Sequence, residues 1–204
     1  MLSPARPDPS STVLGQSGAS RPVITLRRHF ASTAFWAPSI KTDANGEARV
    51  SFKYPDNLTE WRLATYATGS DGNTFGTATA FTHTSLPFQA RLQTPRFLVA
   101  GDTADLSATL LNRTPAGVSA SAELQLTGTP VAFASANDTT RTNLVIAGEN
   151  ETHTAWSVRA TQPGTATITL TARTTAEADA MQLPLPVNED GIQQSTAASA
   201  RLET

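Results

Sequence analysis

The stretch FWAPSIKTDANGEARVSFKYPDNLTEWR, residues 35–62, decides the fold class. It opens on an aromatic-proline strand end (Phe35, Trp36, Ala37, Pro38) and passes a turn at Asp43, Ala44, Asn45 and Gly46. After the turn, Ala48, Val50, Phe52 and Tyr54 share one parity, while Glu47, Arg49, Ser51 and Lys53 take the other. Alternation of period two with charge on one side predicts a half-buried antiparallel strand that ends at Pro55 and Asp56. Asn45-Gly46 tolerates the positive φ of a tight hairpin turn, so the turn has a mechanism. Leu58, Thr59, Glu60, Trp61 and Arg62 then open the next strand.

Working outward, a short apolar run at 23–26 starts an earlier strand, followed by Arg27, Arg28, His29 and Phe30. A double arginine beside an aromatic either binds an anion or, the commoner role, stacks on neighbours and faces water. Trp61, Leu63, Thr65 and Ala67 alternate with Arg62, Ala64, Tyr66 and Thr68, which predicts a strand ended by a loop at 69–73. A Thr/Ala-rich strand runs over 75–83. Residues 21–85 thus offer roughly five strands, short of the about seven that a free-standing immunoglobulin-like sandwich needs. Such an incomplete block would expose sheet edges and apolar surface.

The second block, 86–187, reads as complete. Leu106, Ala108 and Leu110 alternate with small polar residues, as do Val118, Ala120, Ala122, Leu124 and Leu126. Trp156, Val158 and Ala160 supply a core aromatic strand. Gly164 turns the chain into Ala166, Ile168, Leu170 and Ala172, and Met181, Leu183, Leu185 and Val187 close the block. Pro184 and Pro186 assign that last strand to an edge, because neither can donate to a ladder. The Ala-rich run at 174–180 is too short for a helix of its own and is read as a hairpin loop. Residues 1–20, rich in Pro, Ser and Gly, form a flexible tail, and 188–204 a linker or lone strand. The expected fold is all-β: tandem immunoglobulin/fibronectin-III-like antiparallel β-sandwiches, the first incomplete.

Composition narrows the function classes. Charged residues are 16% of the 204 and the net charge is −2, without the clustered Lys and Arg of a nucleic-acid surface. No run of about 18 apolar residues spans a bilayer, and residues 1–20 lack a secretory h-region. With no cysteine there is no disulfide, thiolate zinc site or cysteine nucleophile. His29, His83 and His153 have no metal-ligand spacing, and Gly15-Gln16-Ser17-Gly18 lacks the strand and helix of a nucleophile elbow. Glycines 69, 72 and 76 lack the Lys and helix of a phosphate loop. Asp43 with Asn45, and Asp102 with Asp105, are explained by turns before calcium. Four Asn-x-Thr sequons (Asn57, Asn112, Asn137, Asn150) are present, but in so Thr-rich a chain sequons arise often by chance. No catalytic, cofactor-binding or metal residue is assigned. Trp36, Trp61, Phe52, Phe97 and Trp156 are expected in the core or at turn corners.

One ordered set of residues is specific: Phe35, Trp36, Asp43, Gly46, Pro55, Asp56, Thr59, Trp61 and Arg62, continued by Pro95, Arg96, Phe97, Gly101 and Asp102 and by Leu110, Leu111, Asn112, Arg113 and Thr114. In order and spacing it resembles the signature of the alpha-2-macroglobulin family, over roughly residues 27–114. The resemblance implies macroglobulin domains that adjoin the protease-sensitive bait region and precede the thioester domain of a bacterial-type, extracytoplasmic inhibitor. It implies target proteases and neighbouring macroglobulin and thioester domains as partners, no cofactor, and a non-enzymatic role. The thioester is built from a Cys and a Gln, so this segment cannot contain it. A cell-surface adhesion or carbohydrate-binding module is the alternative, which exposed aromatics on one sheet face would favour. A hydrolase has no nucleophile-base pair to name.

Overall fold

The computed structural model describes residues 22–70 and 72–191, and these contain strands and turns but no helix. In chain order the strands are β1 (Leu26–Arg27), β2 (Glu60–Thr68), β3 (Phe75–His83), β4 (Phe88–Gln93), β5 (Leu98–Val99), β6 (Thr103–Asn112), β7 (Val118–Thr127), β8 (Val131–Phe133), β9 (Thr140–Ile146), β10 (Asn150–Ala160), β11 (Gly164–Arg173) and β12 (Ala178–Asn188). The fold is all-β. The expectations for residues 1–20 and 192–204 lie outside the described residues.

Two sheets face each other between residues 88 and 188. One runs β4-β6-β10-β8; the other runs β12-β11-β7-β9, with β1 and β5 each added in parallel to β12. Alternation built them: Leu106, Ala108 and Leu110 of β6 face Ala166, Ile168 and Leu170 of β11 across a shared core. Trp156 on β10 is completely buried, and its indole N–H donates to the Thr139 carbonyl at 3.0 Å. Burial of such a side chain stabilises by about 2–3 kcal/mol. The Arg141 guanidinium covers the ring at 5.0 Å and is held there by Asp138. Gly148 sits where the loop after β6 passes so close that a Cβ would meet the Pro115 carbonyl oxygen at 1.9 Å. Residues 174–177 close a tight turn, with the Thr174 amide donating to the Glu177 carbonyl at 2.8 Å, so the Ala-rich run is a hairpin connection.

Three expectations need correction. Residues 47–54 alternate as read but join no ladder, because no described strand lies beside them to accept their hydrogen bonds. Among the described residues, the chain before Phe88 therefore holds β1, β2 and β3 rather than about five strands. Second, β12 is not a bare edge. Its outer side carries β1 at Ala180 and Met181 and β5 at Val187 and Asn188. Pro184 and Pro186 fall in the gap between those two short partners, where no ladder bond is lost. Third, Trp36 is 79% exposed and Phe97 53%, so of the two expected locations, core or turn corner, the core is excluded for both. The β2 and β3 spans match the two predicted strands, but their hairpin buries only Trp61.

Candidate functional site

The structural centre of the chain is a buried ion pair that joins residues 152 positions apart. Arg27 comes from two-residue β1 and Asp179 from the start of β12. The Arg27 Nε and Nη2 donate to the two carboxylate oxygens of Asp179 at 2.8 and 2.6 Å. Nη2 also donates to the Ala90 carbonyl at 2.6 Å, and the Ala90 amide donates to Asp179 at 2.8 Å. A planar guanidinium with a fixed fork of donors suits such a bidentate arrangement. On the same side, the Leu92 amide meets the Met181 sulfur at 3.4 Å. The open edge of β4 is thus closed by side chains of β12 and β1 in place of another strand. Of the two readings of the double arginine, the commoner holds: Arg27 lies over the neighbouring Phe30 ring at 6.0 Å and pairs with Asp179 inside the protein, and Arg28 faces water. The sequence signal for the partner was an acidic residue on the apolar parity of β12, in step with Met181, Leu183 and Leu185.

Most signature residues fall into three groups, and Asp43 with Gly46 make a separate turn. Phe35 stacks on Phe52 at 5.1 Å, Phe52 meets Tyr54 edge-on at 5.0 Å, and Tyr54 leans on Trp61 at 5.7 Å. This row of rings gives the 47–54 run its structure without strand pairing. Thr59 and Trp61 meet at Thr84, whose hydroxyl oxygen accepts from the Trp61 indole at 3.1 Å and the Thr59 amide at 3.2 Å. Trp36 and Arg62 stand outside this group and face water.

Pro55 and Asp56 serve the second group. An Asp56 oxygen accepts from the amides of Arg28 and His29 at 2.9 and 2.8 Å, and Asn57 accepts from the Ala31 amide at 3.0 Å. Partial burial pushes the Asp56 carboxyl up, but the two amide hydrogen bonds, with the charges of His29 and Lys53, outweigh it and hold it below its ordinary value. The segment after β1 is thereby fastened to the segment before β2.

Asp43 Oδ1 accepts from the Asn45 and Glu47 amides, both at 2.9 Å, and Gly46 takes φ +78°, so this pair of signature residues makes a turn. The third group lies at the other end of β12. Asp102 accepts from the Val99 amide at 2.9 Å, and the Gly101 amide donates to the Ala160 carbonyl at 3.0 Å. Pro95, Arg96 and Phe97 lead into it. It is separated from the Arg27 pairing by seven residues of β12, or about 23 Å. Asn112 is buried, with its amide nitrogen donating to the carbonyls of Ala116 and Ala147 at 2.7 and 3.1 Å. That sequon is a loop anchor.

Beside the ion pair lies a cleft of about 420 Å³. Phe30, Leu58, Leu111, Arg91, Arg113 and Glu151 are among the residues that line it. No group of three His, Asp or Glu residues converges anywhere among the described residues.

A profile of the Alpha-2-macroglobulin family matches residues 33–124. An alpha-2-macroglobulin homolog from Nostoc sp. is 33% identical over 163 residues, covering 79% of this chain and 8% of the relative. A homolog from Deinococcus radiodurans is 32% identical over 168 residues, covering 79% of this chain and 15% of the relative. The crystal structure of trypsin-activated alpha-2-macroglobulin from Escherichia coli superposes with a TM-score of 0.63 at 22% identity, over 74% of this chain and 10% of that one. The chain therefore spans a small part of the length of its relatives. With the family profile matched, relatives at 32–33% identity over 79% of the chain and the fold shared, this chain is a segment belonging to the alpha-2-macroglobulin family.

Proposed function

We propose that this chain is a non-catalytic framework segment of an alpha-2-macroglobulin-like endopeptidase inhibitor that traps proteases after cleavage of a bait region, acting outside the cytoplasm within a longer polypeptide. Residues 21–85 are the later part of one macroglobulin domain, 86–187 a complete second one, and 188–204 the lead into the next domain. The observation that carries this is the Arg27–Asp179 clamp, whose two residues lie on either side of the family-matched residues 33–124. It ties the signature-bearing chain to the complete sandwich, so displacement of one is passed to the other. The outer edges of β2 and β3 have no partner strand among the described residues, as expected of a sheet completed from elsewhere in a parent. The match to the Nostoc and Deinococcus homologs supports the assignment to a protease inhibitor. Activation by trypsin, stated for the Escherichia coli relative, is the behaviour assigned to the parent.

The test incubates the full polypeptide that carries this chain with trypsin. Trapping predicts that hydrolysis of casein falls while hydrolysis of a small chromogenic peptide persists, since a caged protease excludes only large substrates. Equal activity on both substrates would overturn the reading. One observation favours the adhesion alternative: Tyr66, Phe75 and Phe81 share a face of the hairpin and are 82%, 73% and 60% exposed. The same exposure is expected of a sheet face awaiting its covering layer. Retarded migration of the chain in gels containing soluble polysaccharide, abolished by Tyr66→Ala, would favour adhesion.

A further inference from the structure

We propose that the cleft beside the clamp is a docking site for an extended acidic peptide segment carrying carboxylates four residues apart with an apolar residue midway. The inference goes beyond the inhibitor reading and does not depend on it. It starts from the register of the outward face of the β4-β6-β10 sheet. Arg91 stands opposite Thr109, Gln89 opposite Leu111, and Leu111 opposite Glu151. Arg113 comes directly after β6, its amide donating to the Pro87 carbonyl at 2.8 Å. Arg91 and Arg113 therefore flank Leu111, about 14 Å apart at the backbone by strand geometry. An extended ligand advances about 13–14 Å in four residues, so carboxylates at positions one and five reach both guanidiniums. The side chain at position three points the same way and meets Leu111, in the cleft that Phe30 and Leu58 also line.

Charge sets the sign of the partner. The Arg91 and Arg113 side chains are exposed and make no ion pair or hydrogen bond among the described residues. Arg27 is already neutralised by Asp179, which leaves Glu151 as the carboxylate facing the two arginines. It lies 3.3 Å from His153. Edge pairing is not available as a binding mode at Ala90 and Leu92, because their amides are occupied by Asp179 and Met181. Recognition must then run through side chains, and paired guanidiniums are suited to carboxylates.

The experiment titrates the isotopically labelled full chain with a capped Glu-Ser-Leu-Ser-Glu peptide at low salt, read by amide chemical shifts. Saturable shifts confined to Leu58, Arg91, Thr109, Leu111 and Arg113 are expected. Arg91→Glu and Arg113→Glu should each weaken binding about tenfold, and Glu151→Gln should tighten it a few-fold, since a repelling charge is removed. A Gln-Ser-Leu-Ser-Gln peptide should not bind. Absence of localised shifts at millimolar peptide would overturn the proposal. So would binding that survives both arginine substitutions, or equal binding of a sulfated oligosaccharide, which would make the cleft a general anion site.

Discussion

Arg27 and Asp179 are both out of water, and transfer of each charge to the interior costs several kcal/mol before compensation. Here the compensation is geometric: both carboxylate oxygens are filled by the guanidinium, and the remaining contacts go to the Ala90 amide and carbonyl. Removing one partner strands the other. Asp179→Ala should destabilise the chain by about 3–5 kcal/mol in urea denaturation, while the double variant Arg27→Met, Asp179→Leu should recover most of that loss. Asp56 gives a pH-dependent counterpart. Its folded pKa lies below the ordinary value of 3.8, so the unfolded chain binds the proton more readily. Its contribution is therefore present above that value and is lost as pH falls through the folded pKa. The stability difference between wild type and Asp56→Asn should be flat above pH 3.8 and shrink on further acidification.

Among the elements, the row of aromatic rings and the hairpin separate what residue pattern dictates from what neighbours dictate. The parity of Phe52 and Tyr54 was legible, and so were both hairpin strands, because each depends on local alternation. The absence of strand pairing along 47–54 was not, since pairing requires a second chain segment that the pattern cannot name. Trp36 misled for a related reason: a large aromatic next to a buried parity is buried only if something covers it. Nearly buried Trp61 and exposed Trp36 should thus behave oppositely. Trp61→Ala should cost about 3–5 kcal/mol, as loss of a packed ring does. Trp36→Ala should stay within about 0.5 kcal/mol of wild type. Denaturant midpoints for the two variants check both statements, and similar losses would contradict the assignment. The edge character of β12 was half legible. Its prolines correctly mark a gap in pairing, but the short strands on either side of the gap come from distant parts of the chain.

For the whole molecule, the sandwich from β4 to β12 could be read from alternation, turns and one core tryptophan. The joint between it and the preceding chain could not, because it rests on the two-residue β1–β12 pairing, one charge pair and side chains that substitute for a strand along β4. Asp179 carried the only hint, as an acidic residue in an apolar row. That joint underlies the proposed framework role, since a framework that transmits displacement needs its parts tied at a defined point. It predicts that the amides of Ala90 and Leu92, on an otherwise bare edge, are protected by Asp179 and Met181. Hydrogen exchange of the full chain, read amide by amide by NMR, is the decisive test. In the wild type, Ala90 and Leu92 should exchange slowly, in the range of the β6 amides. Asp179→Ala should speed Ala90 and the β1 amides by orders of magnitude while β6 and β10 keep their protection. Exchange of Ala90 and β1 at exposed-loop rates in the wild type would show that no such joint exists.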